Sequence, residues 1–215
     1  MSKGIYTSDE LYNSIDKEIG WRKKELKLFK DKIPTEKSEL QIVMLRSSIP
    51  IIYAHWEGFV KTACEYYWEY VSNRRIILKK LKPQFIATSL KNAIKAQEIR
   101  SVSDRTQAIQ YILDHLELEA DLPTKNIINT KSNLNYSVFS DICNLLCIEE
   151  KDFILKKEVI DSLVQFRNSI AHGNYLLVTY KDFLNFYNDT IGLLEQLRTS
   201  LQNATALDNH MRVNP

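Results

Sequence analysis

From Glu36 to Ile77 the chain keeps a helical spacing of apolar side chains, and Pro50 is the only proline in the run. Leu40, Val43, Met44, Ile51, Ile52, Trp56, Phe59, Val60, Ala63, Tyr67 and Val71 follow steps of three and four, the signature of a long helix with a buried face. Such a segment cannot sit in a sheet, so it commits the fold to helix packing. Pro50 removes one backbone donor and crowds the preceding turn, which predicts a kink or a break near Ser47–Pro50. The aromatics Tyr53, Trp56, Phe59, Tyr66, Tyr67, Trp68 and Tyr70 spread around more than one helix face. That is wider than one bundle contact needs, and a second partner surface such as a dimer interface would account for it.

The flanking segments agree. Thr7-Ser8-Asp9-Glu10 has the form of a capping box, and Leu11, Ile15, Ile19, Leu26, Phe29 and Ile33 then hold the stripe, broken only by Arg22, until Pro34. Pro83 and Gln84 precede a helix through Ile86, Leu90, Ile94 and Ile99. Ser103-Asp104 caps another through Ile109, Ile112, Leu113 and Leu116, which Asp121-Leu122-Pro123 ends. A polar loop over 124–132 leads through Asn133–Asn135 into a short helix carrying Val138, Ile142, Leu145 and Leu146. A helix over 151–171 ends at Gly173, well suited to a left-handed cap, and a last one starts near Thr179 with Asp182 completing its cap. With only 5 Gly and 5 Pro in 215 residues, an all-β fold lacks its turns, and the expected class is all-α. One domain over 1–202 is expected, with an insert at about 79–125 and a polar, frayed tail over 203–215.

Composition excludes several functions. The net charge of +2 is too mild to announce nucleic-acid binding by itself. Arg74–Arg100 nevertheless holds eight basic residues against the single acid Glu98, either a solvated helix face or a phosphate-facing surface. Cys64, Cys143 and Cys147 form no close CxxC pair, so they read as small core residues rather than a zinc ribbon or a disulfide framework. The N-terminal residues lack the apolar run of a signal peptide, and a cytoplasmic location is expected. Ile42–Val60, the most apolar window, contains Arg46, Pro50, His55 and Glu57, which argues against a membrane span.

Chemistry concentrates where Arg167 and Asn168 precede His172. An arginine brings a permanent charge and a planar fork for phosphate oxygens, and a histidine brings a proton that moves near neutral pH. A step of five residues turns an ideal helix by about 500°, leaving the two side chains about 140° apart. They converge only if the helix ends between them or a second subunit closes the site. A structural alternative has the arginine in a surface pair and the histidine capping the helix. Arg46, one turn before Pro50, either faces phosphate or pairs with a carboxylate. His55 and Glu57 do not share a helix face, so at most one enters a common site. His115 and His210 receive no role.

Arg167-Asn168-Ser169-Ile170-Ala171-His172-Gly173 resembles the R-x4-6-H signature of the HEPN superfamily (higher eukaryotes and prokaryotes nucleotide-binding). The Tyr53–Lys61 stretch and Ser132-Asn133-Leu134-Asn135 resemble a bacterial group of RNases within it, so the resemblance spans roughly residues 36–200. It implies an all-α HEPN helical bundle with long N-terminal helices and a small insert, dimerising so that two motifs share one cleft. The activity it implies is a metal-independent endoribonuclease, with no cofactor, of toxin–antitoxin or antiviral systems, acting on RNA and leaving 2′,3′-cyclic phosphate. Arg167 and His172 would then be catalytic. Asn168 would orient the phosphate or fix the loop, Glu57 would hold the histidine tautomer, and Arg46 would contact substrate. A separately encoded antitoxin or defence partner fits the same picture. The alternative is a non-catalytic HEPN module that binds nucleotide or protein.

Overall fold

A computed structural model describes residues 4–90 and 101–212. Among them are seven α-helices, and the only extended pairing is two isolated antiparallel bridges, Ile77 with Glu119 and Leu81 with Met211. The expected all-α class is what the chain adopts. Three long helices make its body: α1 (Ser8–Lys30), α2 (Glu39–Asn73) and α7 (Tyr180–Ala206), packed against one another. Short α3 (Pro83–Ser89) and α5 (Tyr136–Leu146) pack together, and α6 (Lys157–Ala171) lies on α2. The remaining helix, α4, spans Val102–His115. No helix among the described residues is long and apolar enough to cross a membrane.

The capping boxes form as expected: Thr7 with Glu10 opens α1, and Thr179 with Asp182 opens α7. In α1 the side chains of Leu11, Ile15, Ile19 and Leu26 are buried against α2 and α7. Arg22, the break in that stripe, is itself buried, with Glu18 as its ion pair and the His55 carbonyl accepting from its Nη1 at 3.3 Å. Gly58 permits that approach, because a Cβ there would lie 2.8 Å from the same nitrogen. Burying a charge is tolerable only when it is paired and hydrogen-bonded, and Arg22 is both.

Four expectations are corrected. Of the kink or break expected near Ser47–Pro50, the break does not occur: α2 runs through Pro50, and the buried side chains of Ile49, Ile52 and Tyr53 beside it hold the turn by packing. The helix expected from residue 151 begins at Lys157, after two 3-10 turns, Glu150–Asp152 and Ile154–Lys156. These turns drive Phe153 into the core, where its ring meets Phe139 at 4.9 Å and Phe139 meets Trp56 at 5.2 Å. The cap of α4 is Ser101 rather than Ser103, with Asp104 closing the box, and Ile109 and Leu113 face outward; Ala108 is its buried residue. Ile94 and Ile99, placed on the helix after Pro83, lie outside the described residues.

The fourth correction is the C-terminal segment. Far from fraying at Asn203, α7 continues to Ala206, and Asp208 then adopts a left-handed conformation (φ 48°) that turns the chain back. The Lys82 amide donates to the His210 carbonyl (2.9 Å) and the Arg212 amide to the Lys80 carbonyl (2.8 Å), so the segment after α7 clasps the stretch that leads into α3. His210 is fully buried among Tyr67, Tyr70 and Phe85, with Arg74 Nη1 at 3.3 Å from its Nε2 and Asp208 at 3.6 Å. Burial, then the Arg74 guanidinium, pushes the imidazole down to about 4, with Lys82 adding and Asp208 opposing. A histidine held below its unfolded value of about 6.5 lends stability that is complete above pH 6.5 and is lost as the pH falls toward 4. At pH 4.5 the loss is on the order of 2–3 kcal/mol, several degrees in Tm. In thermal unfolding at pH 7 and 4.5, His210→Phe is expected to show a drop in Tm several degrees smaller than the wild type; equal drops would refute the assignment.

Candidate functional site

The Arg167–Gly173 stretch forms the end of α6. Helical geometry is unbroken from Arg167 to Ala171, and His172 is the cap residue (φ −81°, ψ 6°). Gly173 then takes φ +80°, as expected for the left-handed cap. Its amide donates to the Ile170 carbonyl and the Asn174 amide to the Ser169 carbonyl, both at 3.1 Å, the two bonds of a Schellman motif. The helix thus ends at Ala171, directly before the histidine and too late to turn it back, and on ideal helix geometry their directions stay about 140° apart within one chain. His172 is exposed, and its imidazole has no hydrogen-bond or ion-pair partner among the described residues.

Arg167 turns the other way, onto α2. Its guanidinium carbon lies 4.1 Å from the centroid of the Tyr53 ring, and Nη2 donates to the Ser132 carbonyl at 2.8 Å. Its Nε is buried without a partner. Tyr53 is buried, and its hydroxyl accepts from the Leu134 amide at 2.7 Å. Burial raises the Tyr53 pKa, the Leu134 and Arg167 contacts oppose the rise, and the charge of Glu57 adds to it. Asn168, the next residue of the motif, donates from Nδ2 to Asn133 Oδ1 at 3.0 Å.

Arg46 lies two turns before Tyr53 on the same face of α2. Its Nη2 donates to the Asn174 carbonyl at 2.8 Å, two residues past His172, and its guanidinium sits 5.9 Å from the Tyr175 ring. The arginine named as a substrate contact is thus tied to the loop that follows the histidine. Glu57, half-buried, lies one turn beyond Tyr53 with Oε1 unpartnered; it makes no hydrogen bond to His172. His55 points to the opposite side of α2, toward Trp21 and Glu25 on α1. Burial lowers its pKa, Arg22 adding and Glu25 opposing.

The arginines nearest the helix bundle are held in different ways. Arg22, Arg74 and Arg198 each pair with a carboxylate: Glu18, Asp208 and Asp16. Among the described residues Arg46 and Arg167 have none; each is held by a backbone carbonyl and a tyrosine ring. A neutral acceptor fixes the direction of a guanidinium without neutralising it, so both charges stay available to an anion. The basic run after Arg74 is less open than its composition suggests. Arg74 and Lys79 are matched by Asp208 and Glu117, and Lys91, Lys95 and Arg100 lie outside the described residues. Of the cysteines, Cys64 and Cys143 are core residues, the Cys143 thiol pushed up to about 12 by burial. Cys147 closes α5 in a left-handed conformation.

Sequence reasoning did not find Tyr53 as the support of Arg167, nor the carbonyl of Ser132 beneath it. The available signal was the polar stretch Ser132-Asn133-Leu134-Asn135, too rich in asparagine for a passive loop before a helix. Among the comparisons, the family described as RiboL-PSP-HEPN matches residues 17–203, most of the chain. Neither curated proteins nor solved structures give a match.

Proposed function

The chain belongs to the RiboL-PSP-HEPN family, and on that premise we propose that it is a metal-independent endoribonuclease working as a homodimer. The family supports a nuclease-like or RNA-binding module. The observation that carries the finer reading is the pair of guanidiniums, Arg46 and Arg167, immobilised by neutral groups on either side of the turn that bears an exposed histidine. A site of that kind attracts a phosphodiester and holds it still.

In the reaction proposed, His172 takes the proton of the ribose 2′-OH. The 2′-oxygen bonds to phosphorus, the bond from phosphorus to the 5′-oxygen breaks, and the departing oxygen takes up a proton from water. Arg167 stabilises the charge that gathers on the non-bridging oxygens, and Arg46 binds a neighbouring phosphate. Asn168 fixes the loop through Asn133. Glu57 acts on the tyrosine beneath Arg167 rather than on His172. The products end in 2′,3′-cyclic phosphate and 5′-hydroxyl. Because His172 and Arg167 diverge within one chain, the composite site draws its arginine from one copy and its histidine from the other. A role as effector of a toxin–antitoxin or antiviral system, with a separately encoded neutralising partner, fits an RNase of this type.

The purified wild type is expected to cut single-stranded RNA in EDTA with those end groups. Arg167→Lys is expected to leave the protein inactive, because a point charge cannot reproduce the fork. RNA bound but never cut would refute the catalytic reading and favour a binding module; activity retained by Arg167→Lys would remove the guanidinium from the mechanism.

A further inference from the structure

Residues 132 to 135 bond, in order, to three helices of the molecule: α6 twice, then α2, then α5. The Ser132 carbonyl accepts from Arg167 Nη2 (2.8 Å), Asn133 Oδ1 from Asn168 Nδ2 (3.0 Å), the Leu134 amide donates to the Tyr53 hydroxyl (2.7 Å), and Asn135 Oδ1 accepts from the Val138 amide (2.9 Å). Leu134 is fully buried, which anchors the middle of the segment, and Asn135 caps α5, which anchors its end. Lys131 and Ser132 take left-handed conformations (φ 54° and 51°), an arrangement non-glycine residues avoid unless their surroundings demand it. Here it brings the Ser132 carbonyl round to the guanidinium.

From this we infer that Tyr53 and the segment Ser132–Asn135 are a positioning device for Arg167. The inference rests on the reading of Arg167 as the group that meets phosphate. The loop is locked to the tyrosine by Leu134 and to the arginine by Ser132, while the tyrosine ring lies under the arginine. The three partners close a triangle, and no corner can move alone. An arginine side chain has many rotamers, and a phosphate would otherwise have to order it on binding; with its direction set beforehand, the electrostatic stabilisation is in place when charge develops. None of the three contacts is a carboxylate, so orientation is gained and the positive charge is kept.

The test uses the full-length protein labelled with nitrogen-15 and two substitutions, Tyr53→Phe, which keeps the ring, and Tyr53→Leu, which removes it. In the wild type the buried Arg167 Nε–H, identified by its loss in Arg167→Lys, is expected to resonate apart from the exposed arginines and to exchange slowly. Tyr53→Leu is expected to merge it with them, while Tyr53→Phe leaves it resolved. In RNA cleavage, Tyr53→Leu is expected to lower kcat on the order of 10²-fold with little change in KM, and Tyr53→Phe, which keeps the ring but loses the Leu134 bond, to fall between it and the wild type. An Arg167 signal unchanged in Tyr53→Leu overturns the inference. So does a Phe variant as impaired as Leu with an equal fall in Tm, since that marks general core damage. A wild type that cuts no RNA, but whose Arg167 signal responds as expected, sinks the nuclease reading and leaves the positioning role standing.

Discussion

His172→Ala is expected to lower the rate of RNA cleavage by about 10²–10⁴ while leaving Tm and RNA affinity near those of the wild type. The size follows from losing a proton acceptor in the transition state. Selectivity follows from where the residue sits. His172 is exposed just past the end of α6, its side chain has no partner among the described residues, and the turn is held by backbone bonds of Gly173 and Asn174 that an alanine retains. Removing the imidazole therefore opens no cavity and orphans no buried group, so the usual routes to destabilisation are closed. Arg46 and Arg167, whose anchors do not involve His172, still hold the phosphate. The measurement is initial cleavage rate at saturating single-stranded RNA beside a binding isotherm for the same oligonucleotide. A variant that cuts as fast as the wild type would remove the histidine from the mechanism. Affinity falling with rate would mean that it binds rather than reacts.

Much of this was readable in the residues because it is local. The capping boxes of α1 and α7, the stripe on α1 and the left-handed glycine depend on side chains close in sequence, and they stand as the spacing predicts. A break at Pro50 is not what the chain adopts, because the proline's cost is local but the packing that offsets it is not: neighbours from other helices hold α2 continuous through the gap in its ladder. The start of α6 was misread for a related reason. Phe153 belongs to the core by virtue of Phe139 and Trp56, and meeting them requires 3-10 turns where the apolar period alone continues a helix. The C-terminal clasp was invisible because polar composition suggests solvent, and only Arg74, Asp208 and three aromatic rings far away in sequence make a burial site for His210. In the candidate site, residue types alone single out Arg167 and His172. Their supports, Tyr53 and the Ser132 carbonyl, are contacts across 114 and 35 positions that no spacing reveals.

Mixing two inactive proteins is expected to restore activity. If each working site takes Arg167 from one copy and His172 from the other, a dimer of Arg167→Ala with His172→Ala holds one site with both lesions and one site with neither. Random reassortment makes half the molecules such mixed dimers, each with one of its two sites intact, so about a quarter of wild-type activity should return. Against parent rates reduced by 10² or more, that is a large signal. The geometry behind it is the helix that runs on to Ala171: four helical residues separate Arg167 from His172, and the cap does not turn His172 back toward the guanidinium over Tyr53. Were the pair to act within one chain, every site in every mixture would carry a lesion, and mixing would restore nothing. The variants are co-refolded or exchanged at concentrations where subunits reassort, and cleavage is followed against the mole fraction of each. A maximum near equal proportions supports the composite site; a flat line at the parental rates assigns both groups to a single chain and would require α6 to unwind beyond Arg167 when RNA binds.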